Sequence, residues 1–202
     1  LFSAVFSLII MINPFALFLY LNPVMKELSD RDFRNVIVKA GAISTAILLL
    51  FLFLGEALFT DVLKIEFDSF RIFGGIVLFS FAYMYIVKGQ KAMLTLKGNL
   101  DDLASEIALP FMVGAGTISM TLLIAKQFTV AAGIGMVSFG VMLSIAVILI
   151  LKLVRKALHK PNLRIAFDKN MEILIRLNGF FVGAIGINMI LSGLKSIFGF
   201  SI

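Results

Sequence analysis

Charged positions along this chain fall in clusters, separated by long stretches that contain none. Six such stretches occur, at residues 1–25, 40–55, 72–87, 107–125, 127–151 and 177–194. A helix that crosses the hydrocarbon core of a bilayer needs about 17–25 mostly apolar residues. The second and third stretches have sixteen residues each, but Lys39, Glu56, Arg71 and Lys88 flank them. Long charged side chains at such ends can reach the headgroups while their stems stay in the apolar layer. The pattern predicts six membrane-spanning helices. The first stretch is longer than the apolar part of a signal peptide, about 7–15 residues, and no small-residue cleavage pattern follows it. It is expected to be a mature helix.

Composition agrees with lipid as the solvent. The 202 residues are 60% hydrophobic and 15% charged, whereas a soluble domain carries about a quarter charged residues. The net charge of +6 changes meaning once it is mapped onto six helices. Residues 26–39, 88–97 and 152–176, which share one side, hold fourteen of the eighteen lysines and arginines; Lys64, Arg71, Lys126 and Lys195 are the other four. An excess of this kind marks the cytoplasmic side. Both termini are therefore expected outside a cell (inner or plasma) membrane, with the basic loops, including 152–176, in the cytoplasm. Basic clusters beside anionic headgroups need no nucleic-acid partner, and none is expected.

The absence of cysteine removes disulfides, thiolate metal sites and cysteine nucleophiles. The single histidine, His159, falls in a basic loop. No metal, cofactor or catalytic residue is expected. An intramembrane enzyme would need a nucleophile with a base, or a metal cluster, and a channel would need a filter run of carbonyls or charges. Neither pattern is present.

Two stretches are interrupted in a way that lipid penalises. The first contains Asn13-Pro14-Phe15-Ala16. Proline removes a backbone donor and clashes with the preceding turn, so carbonyls near Ile10 lose their partners. Those carbonyls must face protein or a water-filled cavity. The fourth stretch contains Gly114-Ala115-Gly116-Thr117, where glycines permit unusual backbone and close approach. The two interruptions lie 101 residues apart, and Arg71-Ile72-Phe73-Gly74 matches Arg176-Leu177-Asn178-Gly179 at 105. This order suggests a repeat of three helices, about 1–90 and 106–202, joined by a cytoplasmic linker of about 91–105 within one transmembrane domain of residues 1–202. An odd number of helices per repeat inverts the second copy. The bland alternative is that any six-helix protein looks faintly repetitive.

Paired breaks at the midplane would make a small polar pocket. Asn13 offers a donor and an acceptor, and N–H groups at a new helix start attract a carboxylate. Alternatively, Pro14 only kinks its helix and the glycines only ease packing. Packing is the simpler reading for Gly179, Gly183, Gly186 and Gly193, which form a small-residue stripe. Ser44, Thr45 and Ser80 can bond back to their own helix. Asn178 and Asn188 could line a cavity or bond across helices, and the bond is the simpler reading. Glu56 is the carboxylate nearest an apolar interior; it could carry a proton or sit at the interface.

Four segments, INPFALFLYLNP, LFLGEALF, FDSFRIFGGIVLFSFAYMYI and ALPFMVGAGTIS, together resemble the MarC/SnatA family within the LysE transporter superfamily. Ala16 stands where that family usually has glycine, and Ala115 where it usually has proline. The resemblance implies an all-α polytopic membrane protein with six transmembrane helices in two inverted-topology three-helix repeats, helices one and four being broken near the midplane. It implies a secondary transporter, with a small neutral amino acid such as glycine or alanine as partner and protons as the driving ion. The motif residues are Asn13, Pro14, Phe15, Gly114, Ala115, Gly116 and Thr117, with Glu56 as the candidate for proton coupling. An exporter of amino acids or other small metabolites is the alternative.

Overall fold

The computed structural model describes residues 2–55, 57–62, 64–88 and 100–199. Among them every regular element is helical. The order is α1 (Phe2–Ile12), α2 (Pro14–Tyr20), α3 (Asn22–Glu27), α4 (Asp30–Leu54), a π-helical turn (Leu58–Val62), α5 (Phe67–Lys88), α6 (Leu100–Glu106), a second π-helical segment (Ile107–Met112), α7 (Ala115–Gln127), α8 (Val130–Ala157) and α9 (Pro161–Phe198).

Five segments are long and apolar enough to cross a membrane: Phe2–Leu19, Asp30–Leu54, Phe67–Val87, Val130–Ala157 and Pro161–Phe198. The fourth expected stretch, 107–125, is divided between the second π-helical segment and α7, each too short to cross alone. Pro110 accounts for part of this. The residue before a proline is pushed out of the helical region, and Leu109 is extended at φ −119°, ψ 122°. Large apolar side chains such as Phe53, Phe73, Phe139 and Phe180 are more than half or about half exposed. That would be a liability in water and is ordinary in lipid.

The helix starts follow from local chemistry. Ser29 caps α4 by accepting from the Asp32 amide at 3.1 Å, and Thr129, 100 residues later, caps α8 through the Ala132 amide at 3.4 Å. Such caps satisfy amides that the first turn leaves unpaired. Ser44 and Ser144, also 100 residues apart, each bond back to the carbonyl four residues earlier. Ser80 does the same, as expected.

Packing centres on two groups. In one, α8 lies against α1, α2 and α4, and α7 against α1, α4 and α5. Leu8, Phe33, Ile37, Leu48, Val137 and Ile148 form its almost fully buried core. In the other, α5 lies along α9, and here the glycine stripe is a packing seam. A Cβ added at Gly75 would meet the Gly186 carbonyl at 2.5 Å, and one at Gly186 would meet the Gly75 carbonyl at 2.8 Å. The backbones touch because neither residue has a side chain.

The expected loop 152–176 is a correction. α8 continues to Ala157 and α9 begins at Pro161, so only 158–160 connect them. α9 has 38 residues, about 57 Å at 1.5 Å per residue, against a hydrocarbon core of about 30 Å. Charges end an apolar stretch without ending a helix, since Lys, Arg and Glu are good helix formers. Asp168 and Glu172, inside that expected loop, are interior helical positions. The Arg155 guanidinium donates twice to Asp168 at 2.9 Å, tying α8 to α9. Lys152 pairs with Asp30 at 2.9 Å and Lys156 also pairs with it, tying α8 to α4. Arg176 donates to the Ile86 carbonyl at 2.7 Å and to Glu172 at 3.0 Å, tying α9 to α5. The expected linker 91–105 falls mostly outside the described residues; its end, from Leu100, is helical.

Candidate functional site

The first interruption is sharper than a proline kink. Asn13 adopts the left-handed conformation at φ 52°, ψ 67°, which asparagine tolerates better than most residues because its short side chain bonds locally. Its Oδ1 accepts from the Ala16 amide at 3.1 Å, so Asn13 is the cap of α2 and Pro14 occupies the first helical position, where its missing N–H costs nothing. The break is therefore centred on Asn13 rather than on Pro14. The carbonyl that Pro14 leaves without a partner, at Ile10, accepts from Asn178 Nδ2 of α9 at 3.3 Å. Asn178 thus bonds across helices, in the way expected of it. Asn13 is 4% exposed, and its Nδ2 has no partner. A buried amide donor left unpaired costs about 1–3 kcal/mol, so this atom stands out in the structure.

The second interruption arises differently from the expected glycine flexibility. Gly114 is extended at φ −136°, a conformation open to any residue, and Gly116 lies within α7. The bend comes from pre-proline Leu109 and from the two residues between the π segment and α7. Thr117 closes the new helix start: its hydroxyl accepts from the Gly114 amide at 2.9 Å and donates to the Gly114 carbonyl at 3.0 Å. The glycines serve close approach. A Cβ at Gly116 would lie 2.7 Å from Leu78 of α5, and one at Gly74 would lie 2.8 Å from the Ala115 Cβ. A side chain at Gly116 would therefore press into α5, where an open pocket was expected.

The breaks have different neighbours. The first rests on α9 through Asn178, and Phe15 and Ala16 pack with Phe18, Met171 and Ile175. The second rests on α5 through Gly74 and Leu78. The segments that flank them meet in one core, where Leu8, Ile12 and Leu17 join Met112 and Val113. Glu56 lies outside the described residues.

A cavity of about 580 Å³ lies beside these breaks, between α1, α5, α7 and α9. Its lining includes Met11, two residues before Asn13, and Ser119, two residues after Thr117, but none of the seven motif residues. It runs toward the end of the molecule that carries Ser3, Phe67 and Gln127. The ties of Asp168 and Arg176 lie in the first half of α9 and that of Ile86 near the end of α5, away from the cavity. Sequence reasoning allowed Asn188 a place in a cavity and passed over Arg71 as a lining residue. A polar position on an apolar helix was the available signal, and it does not say which neighbour the helix will meet.

A family model described as MarC family integral membrane protein matches residues 1–198. The UPF0056 membrane protein PH0214 of Pyrococcus horikoshii is 26% identical over 192 residues, covering 95% of this chain and 91% of the relative. The UPF0056 membrane protein of Aquifex aeolicus is 24% identical over 202 residues, covering 96% and 92%. The UPF0056 membrane protein YhcE of Escherichia coli is 26% identical over 200 residues, covering 90% of each. No solved structure matches. These matches run along nearly the whole chain, through both interruptions, and the chain belongs to the MarC family of integral membrane proteins.

Proposed function

We propose that this protein is a secondary transporter that carries a small neutral amino acid, of the glycine or alanine type, across the cell membrane by alternating access. The observation that carries the reading is the buried, unpartnered Asn13 amide at a helix break, one short step from a cavity that reaches toward one end of the molecule. A fully packed structural helix has no use for such a group. A transporter does, because a broken helix at the midplane presents polar atoms to a solute where lipid cannot.

Several correspondences support six spans in two inverted repeats. New helices start at Pro14 and Ala115, 101 residues apart, and at Asp30 and Val130, 100 apart. Each break rests on the last long helix of the opposite half: the first on α9, the second on α5. On this reading α7 with the preceding π segment is the sixth span, and each repeat begins with a broken helix. The basic end, with its ion pairs, is cytoplasmic, and the cavity opens outward. Substrate would bind between the breaks, with Asn13, the amides following Pro14 and Ala115, and Thr117 as its polar partners. Protons are the proposed coupling ion, with Glu56 as their carrier.

Purified protein in liposomes should take up labelled glycine, and an inward proton gradient should raise its accumulation. Glycine that enters no faster than in protein-free liposomes, under either condition, would remove the reading.

A further inference from the structure

Apart from the breaks, the cavity between α1, α5, α7 and α9 gathers polar side chains from all four helices. Arg71 lines it and lies in the first turns of α5, where Nη1 donates to Asp68 at 3.0 Å. That bond uses one of the five N–H donors of a guanidinium. It fixes the side chain and leaves the Nε and Nη2 edge without a partner among the described residues. Ser119 lines the same cavity and is 9% exposed, and its hydroxyl has no partner. The Asn188 carboxamide, from α9, also lines it and makes no bond among the described residues. Met11, Met120 and Met189 supply an apolar wall. Lys126 also belongs to the lining, with its nitrogen over the Phe67 ring.

A preoriented guanidinium with N–H donors to spare, beside unpaired neutral donors, is chemically matched to a carboxylate. A planar guanidinium edge pairs with carboxylate oxygens in a way that a lone ammonium cannot. A guanidinium offers an ammonium no acceptor. We infer that this cavity is a second binding site, distinct from the breaks, that takes carboxylate-bearing solutes, with Arg71 binding the carboxylate and Ser119 and Asn188 hydrogen-bonding the solute. Its volume of about 580 Å³ exceeds what glycine fills. The site therefore selects by charge, and selection by size is left to the breaks. Its role in transport rests on the function proposed above; its binding chemistry does not.

The test separates the two. Wild-type protein in lipid nanodiscs is titrated with labelled leucine, which is too large for the breaks, in competition with propionate, which has only the carboxylate, and with ethylamine, which has only the ammonium. Propionate should compete and ethylamine should not. Arg71→Gln should weaken leucine binding by about tenfold or more, the size expected for losing a bond between charged groups, and should abolish propionate competition. Arg71→Lys, which keeps the charge without the fork, should recover only part of the affinity. Monodispersity and melting temperature show whether each variant is folded. Leucine and propionate binding at wild-type strength in folded Arg71→Gln, or ethylamine competing as well as propionate, would overturn the inference even if liposomes transport glycine. Loss of binding in Arg71→Gln together with no glycine transport by wild type would instead keep the cavity site and remove the transporter reading.

Discussion

Asn13 carries three properties at once: a left-handed backbone, a capping oxygen and an unpaired amide nitrogen. Different substitutions separate them. Asn13→Gly keeps the backbone at little strain and loses the side chain, and a glycine cap costs only a few tenths of a kcal/mol. Asn13→Ala loses the cap and also places a Cβ in left-handed backbone, which costs about 1–2 kcal/mol more. Thermal melting should therefore rank wild type and Asn13→Gly close together, with Asn13→Ala clearly below. Glycine transport should fall in both, by roughly ten- to a hundred-fold in affinity if the amide contacts a charged group. Equal melting temperatures for the two variants would argue against the strained backbone at this position. Asn178→Ala strands the Ile10 carbonyl and should cost about 1–3 kcal/mol, read as a lower melting temperature. The break at Asn13-Pro14 was legible because proline and asparagine punctuate a helix in any context. The Asn178 bond was legible only as a kind, since its partner lies 168 residues away. Pro110 carried the signal for the bend at Leu109, but the neighbouring glycines drew the reading to themselves.

At the scale of elements, the seam between α5 and α9 makes a graded prediction. A Cβ at Gly186 would meet backbone, the Gly75 carbonyl at 2.8 Å and the Phe79 amide at 2.9 Å, whereas one at Gly183 would meet only the Ala82 Cβ at 3.2 Å. Overpacking a tight contact costs about 1–3 kcal/mol, and more where backbone must move. Gly186→Val should therefore separate the two helices and lower the yield of monodisperse protein, while Gly183→Ala should melt close to wild type. The same yield for both would contradict the seam. The stripe itself was readable from glycine spacing. The lengths of α8 and α9 were not, because a hydropathy pattern reports where lipid contact ends and helix formation depends on other forces. Lys152, Arg155 and Lys156 end the apolar stretch, yet each finds a carboxylate or a ring that keeps the helix going: Asp30 for both lysines, Asp168 for Arg155, and the face of Phe33, 4.1 Å from the Lys152 nitrogen.

For the whole molecule, charge and cavity give the same polarity. The cavity runs toward Ser3 and Gln127, and the cross-helix ion pairs gather near the turn at 158–160. Because the chain has no cysteine, single cysteines report topology cleanly. Gln127→Cys should react with an impermeant reagent on intact cells, and Lys160→Cys only after permeabilisation; the reverse pattern would invert the proposed orientation. The lipid class and the number of apolar stretches were readable from composition and spacing. The cavity was not, because it is assembled from four helices whose facing sides no single stretch specifies. The most direct measurement of the central claim is counterflow. Liposomes containing the protein are loaded with unlabelled glycine and diluted into a trace of labelled glycine. A carrier that alternates access exchanges one for the other, so the label should rise transiently above its equilibrium level inside, and Asn13→Gly should blunt that overshoot. Label that only climbs to equilibrium, with no overshoot in wild type, would contradict alternating access.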